Sequence, residues 1–172
     1  MNNLNVSDVF SNLVKAIGES LMAIGYKRHG QLLKFLAGSN CGMIGFQRGM
    51  ASSKDSILFT INLGVVCGAL LDASIVPLEK AQITDAHLST RIGLLLPERQ
   101  DKWWEINHST DFQSLSKEIL DTVWTKAVPY VSQFVDSKAL CSLWESGQSP
   151  GLTKLQRDRY LGKLKKILSA GP

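Results

Sequence analysis

No apolar run in this 172-residue chain approaches the ~20 residues that a membrane-spanning helix needs; stretches such as Gly64 to Leu71 are far shorter. The opening residues, MNNLNVSDVF, lack a basic leader followed by an apolar stretch and a small-residue cleavage site, so export by a standard signal is not expected. Cysteine is scarce. Cys41, Cys67 and Cys141 are odd in number and widely spaced, which suits reduced, core-filling thiols in a cytoplasmic protein better than a disulfide framework. Metal-ligand patterns are missing too: His29, His87 and His108 are far apart, and there is no Cys-x-x-Cys pair and no His-Glu-x-x-His. The sequence has no Gly-x-Ser-x-Gly elbow, no phosphate-cradling Gly-x-x-x-x-Gly-Lys loop and no Gly-x-Gly-x-x-Gly turn. No catalytic residue, metal ligand or cofactor is therefore nominated, although convergent active sites are built by geometry that motifs do not capture.

What is present is the balance of a globular protein. Hydrophobic residues make up 44% and charged residues 20%, enough to bury a core within a single domain spanning residues 1–172. The net charge of +4 is unevenly placed. From residue 150 onward lie Lys154, Arg157, Arg159, Lys163, Lys165 and Lys166 against Asp158 alone, whereas the preceding residues are almost balanced. This basic segment lacks interleaved aromatics apart from Tyr160, and no DNA-reading motif precedes it, so nucleic acid is disfavoured as a partner.

Hydrophobic spacing sets the expected elements. Phe10, Leu13, Val14, Ile17, Leu21 and Ile24 form one helical stripe, with Asn5 or Ser7 to cap it and Gly25 to stop it. The period then changes to two. Residues 31–37 and 41–48 read as a hairpin around Gly38-Ser39-Asn40, and Ile57 through Cys67 is the clearest strand, its odd positions apolar. After a long connection, with a short strand expected at Ser74 to Val76, further strands are expected over Leu88–Leu96 and Lys102–Asn107. The rest reads as helix. Thr110 and Gln113 resemble a capping box, Phe112, Leu115, Ile119, Val123 and Ala127 mark a buried stripe, and Pro129 should end or kink it. Asp136 can cap a short helix, and a last one should bury Leu155, Leu161, Leu164 and Leu168. The expected class is α+β: an N-terminal helix, an antiparallel sheet of four to five strands, and C-terminal helices packed on one face.

Several short blocks occur in an order and spacing that resemble the bacterial family called domain of unknown function 4304. They are Gly25-Tyr26-Lys27-Arg28-His29-Gly30, Ile44-Gly45-Phe46-Gln47-Arg48, Phe59 through Val65, His87 through Gly93, and Trp103-Trp104. The resemblance covers about residues 6–130, leaving 131–172 as a helical extension. It implies the fold and carries no known reaction.

The candidate site is the polar side of the sheet. Gln47, Arg48, Asn62 and Arg91, with Trp104 as a wall, are the nominated ligand-binding residues; Thr60, Glu105 and Trp103 are their neighbours in the same reading. Arginine's planar donor fork suits carboxylate or phosphate, and the amides add orientation-sensitive hydrogen bonds. The plainer account is a solvated sheet face, which strand alternation produces routinely. With no catalytic signature, the leading expectation is a non-catalytic binding module for another bacterial protein, as an accessory or immunity-like partner. A small-ligand or enzymatic site on the polar face is the alternative. No feature of the sequence specifies an oligomeric state.

Overall fold

A computed structural model describes residues 5–72 and 74–170. Helix α1 (Val6–Leu21) opens the chain. Asn5 caps it by accepting from the Ser7 amide, and Gly25, at φ +92°, takes the left-handed turn that ends its 3-10 extension. Six strands follow: β1 (Lys27–His29), β2 (Leu32–Ala37), β3 (Asn40–Arg48), β4 (Ser56–Cys67), β5 (Leu88–Arg91) and β6 (Trp104–Asn107). All pair antiparallel in the order β1-β2-β3-β4-β5, and β6 shares the outer edge of β4 with β5. Then come α2 (Phe112–Thr122), α3 (Val128–Phe134), α4 (Ser137–Glu145) and α5 (Lys154–Ser169).

The α+β class with helices at both ends of an antiparallel sheet is as expected, with one strand more because Lys27–His29 adds an edge. Odd positions of β4 do face the helices. Ile57, Phe59, Ile61 and Leu63 are buried with Leu33, Ile44 and Phe46 beneath α1, α2 and α3. Phe59 is central, its ring 5.3 Å from Phe10 and 5.7 Å from Trp104. The opposite face is covered over part of its area by the connection from β4 to β5, which packs Ala81, Leu78 and Ile83 on Leu32, Cys41, Met43 and Val66. Gly64 permits this: a Cβ there would come within 2.8 Å of Ile83 Cδ1 and 3.0 Å of Ala86 Cβ.

Several expectations need correction. Ser74 to Val76 is a turn, tied by the Ile75 and Val76 amides to the Asp72 carbonyl. β5 stops at Arg91 and passes into a 3-10 turn, because the chain folds back so closely that a Cβ on Gly93 would lie 2.1 Å from the Gln100 carbonyl oxygen. Asp111, rather than Thr110, caps α2 by accepting from the Gln113 and Ser114 amides. Pro129 does not end the helical run. A π-turn over Val123–Ala127, with the Val128 amide donating to the Val123 carbonyl, leads straight into α3 and places the proline in its first turn. On α5 only Leu164 is fully buried; Leu155 is 80% and Leu168 42% exposed, because the helix rests on α4 along a narrow strip.

Candidate functional site

The even positions of β4 and their cross-strand partners build the uncovered part of the sheet. Register sets Gln47 opposite Thr60, and Asn62 between Gly45 on one side and Arg91 on the other. Asn62 Nδ2 donates to Gln47 Oε1 at 2.7 Å, which fixes both amides and leaves the Asn62 oxygen and the Gln47 nitrogen as open hydrogen-bonding groups. Thr60 is fully buried, its hydroxyl donating to the Lys102 carbonyl at 2.7 Å and pinning the loop that leads into β6. Arg91 pairs with Asp101, which also accepts from Trp103 Nε1 at 2.9 Å, and the Arg91 guanidinium lies 5.3 Å from the Trp103 ring centre. Arginine, carboxylate and indole thus form one exposed cluster at the β5 edge.

Three hollows follow one another along this face. One of about 490 Å³ lies between Gln47 and Asn62 on the sheet, Gln31 in the β1–β2 turn, and Gln82, Ile83 and Thr84 above them. A second, of about 360 Å³, continues past Asn62 and Thr84 to Ser89, Arg91 and Gly151. A third, also about 360 Å³, begins at His29 and reaches Lys27, Lys34, Leu36 and Glu79. His29 is shared by the outer pair on the β1 side, and Asn62, Ile83 and Thr84 by the pair toward β5. Together they make a groove that crosses the strands, floored by the sheet and walled by residues 79–84.

Of the nominated residues, Gln47, Asn62 and Arg91 meet on this face, whereas Arg48 and Trp104 belong to the other. Consecutive strand residues point in opposite directions, so Gln47 and Arg48 cannot share a face. Arg48 touches the groove's rim, but its guanidinium turns to α1, donating to Ser7 Oγ at 2.8 Å and lying 4.8 Å from the Phe10 ring centre. Trp104 pairs with Phe59 and is 5% exposed, its indole donating to Glu118 Oε1 at 2.7 Å. Trp103 stands on the groove's side of the chain instead, its ring against Gly49. Glu105 lies at the far end of that face, accepting from Ser56 Oγ and Asn107 Nδ2, which hold its carboxyl below the usual range. The groove residues not anticipated were Lys27, His29, Gln31, Lys34, Gln82 and Thr84. For Lys34 a signal existed: it shares the parity of Leu32 and so must face the same side of β2.

A family model described as Domain of unknown function (DUF4304) matches residues 17–133. The chain belongs to this DUF4304 family. All six strands fall inside the matched span, and so does the groove lining except Pro150 and Gly151. Neither the curated proteins nor the solved structures include a match to the chain. Among the described residues no cluster of His, Cys, Asp and Glu is arranged to hold a metal, and no helix is long and apolar enough to cross a membrane.

Proposed function

We propose that this DUF4304 member is a cytoplasmic bacterial binding module, and that it grips another protein through the groove over its sheet. The observation that carries the reading is the Asn62–Gln47 amide pair at the centre of the groove, locked at 2.7 Å with one acceptor and one donor outward. A peptide group presents the complementary donor and acceptor, and preorganised side chains lose little entropy on binding it. Gln31 from the β1–β2 turn, and Gln82 and Thr84 from the wall, repeat the chemistry around the same hollow. Amides and hydroxyls orient a ligand and do not exchange protons with it, which favours recognition over acid–base chemistry. Three buried free thiols support a reducing compartment.

A photo-reactive residue at Thr84 tests this in cells of the source organism, with exposed Lys117 on α2 as the control position. The expected result is a discrete protein adduct from position 84 that is absent from position 117 and at least several-fold weaker in Asn62→Ala. No adduct at 84, or the same adducts at both positions, overturns the reading. A small-ligand site on this face is the second reading, favoured by the hollow of about 360 Å³ beside Ser89 and Arg91, a volume within the range of small-molecule sites. Its mark would be a rise in melting temperature with one compound, lost in Arg91→Ala.

A further inference from the structure

The β1 end of the groove holds a buried charge. Lys34 is 5% exposed, and its ammonium donates to the Glu79 carbonyl at 2.9 Å. Among the described residues, no carboxylate lies within 4 Å of that nitrogen. One neutral carbonyl satisfies one of its three donors, whereas a charge removed from water is ordinarily offset by a paired anion. The side chain lines the hollow of about 360 Å³ at the sheet edge, together with Lys27, His29, Gly25, Leu36 and Glu79. The register places the bases there. Lys27 stands directly opposite Lys34, and His29, two residues on, points the same way. Two lysines and an imidazole thus face one acid, Glu79. At the other end of the groove Arg91 is paired with Asp101, whereas among the described residues neither Lys27 nor Lys34 has a carboxylate within 4 Å.

From this arrangement we infer that the hollow over Lys34 is a carboxylate-binding subsite, which receives an acidic side chain from an extended segment of the partner protein. The inference rests on the groove being a protein-binding surface and specifies what binds there. The carboxylate enters between Lys27 and Lys34 and gives the enclosed ammonium an anionic partner, while the segment's backbone continues past His29 to the Gln47–Asn62 amides. Single-stranded nucleic acid would bring negative charge as well, but it binds by stacking bases on aromatic faces. Apart from the His29 imidazole, the aromatic side chain lining these three hollows is Phe46, which is 3% exposed and packed in the helical core, and the Trp103 ring beside the second hollow is taken up by the Arg91 guanidinium.

The test uses fluorescence anisotropy with two labelled peptides, octa-glutamate and octa-glutamine, and a labelled oligo-thymidine as the competing class. The wild-type chain is expected to bind octa-glutamate at least tenfold more tightly than octa-glutamine. Lys34→Met is expected to remove that preference, because it keeps the unbranched apolar stem and deletes the ammonium with its hydrogen bond to the Glu79 carbonyl. Its fold is checked by an unchanged melting temperature, and Lys34→Arg, which keeps the charge, should retain a preference for octa-glutamate. Equal binding of the two peptides by the wild type, undiminished octa-glutamate binding by Lys34→Met, or tighter binding of oligo-thymidine than of octa-glutamate each overturns the inference. The failure is separable from that of the groove itself. A position-84 adduct that persists unchanged in Lys34→Met would sink the carboxylate subsite and leave the groove standing.

Discussion

The two faces of one sheet are covered in different ways. Toward α1, α2 and α3, Phe59, Ile61, Leu63, Ile44 and Phe46 meet regular helices that supply a contiguous apolar roof. On the reverse, the same strands meet 3-10 turns over part of their area and the loop at Lys102 over Thr60, with the groove running between sheet and turns. The first face buries the larger apolar cluster, and the second a smaller one of Leu32, Cys41, Met43, Val66 and Ala81. The difference is one of packing: a helix presents a periodic stripe to a pleated surface, whereas an irregular connection touches it at isolated points such as Ile83 over Gly64.

The largest effect should come from the helical side. Phe59→Ala removes a fully buried ring that contacts Phe10, Phe46 and Trp104, and should cost about 3–5 kcal/mol in urea denaturation. A loss below about 1 kcal/mol would mean that the two faces are less unequal than described.

Acid should act next, through the seam under α5. His87 is buried, its Nδ1 accepting from the Cys67 amide at 3.1 Å and its ring set edge-on to Tyr160. Burial is the main cause of a pKa lowered from 6.5 to about 4; Lys163 lowers it further and Asp85 works in the opposite direction. The unfolded chain therefore takes up a proton first as pH falls. The stability tied to His87 is complete above about pH 6.5 and is lost as pH drops to about 4, by roughly 3 kcal/mol. Urea midpoints across that interval should slope in the wild type and be visibly flatter in His87→Gln.

The smallest effect contrasts the faces directly by one substitution made on each. Gly42→Ala would drive a methyl to 2.3 Å from Val131 Cγ1 of α3, a branched side chain with little room to retreat, and should cost about 1–3 kcal/mol. Gly64→Ala meets the flexible tip of Ile83 at 2.8 Å and the Ala86 Cβ at 3.0 Å, both farther off than Val131 is from Gly42, and should cost less. If thermal unfolding ranks them the other way, the connection over the groove is the stiffer cover.

Much of this architecture was readable from residue order. Alternation over Ile57–Cys67 placed the core face of β4 correctly, and the stripe from Phe10 to Leu21 placed α1. The face that carries the candidate site was legible only in part. Gln47, Asn62 and Arg91 share a face because their strands carry unambiguous alternation, but Trp103 and Trp104 precede or open a strand whose first residue only pairing decides. Lys34 sits in a run of apolar neighbours where its ammonium gives no periodic sign of being enclosed. The wall made by residues 79–84 was hidden for a different reason: 3-10 turns of three residues have no repeat from which burial can be inferred.

β4 carries more than its share of the arrangement. It alone is laddered to three other strands, with β3 along one edge and β5 and β6 end to end along the other. A slip of one residue in that strand would invert Asn62 and Ile61 and break three alignments at once, so no neighbour could follow it into the error. Replacing one side chain in the trench therefore leaves the spacing of the others unchanged, since the ruler that spaces them tolerates a single setting.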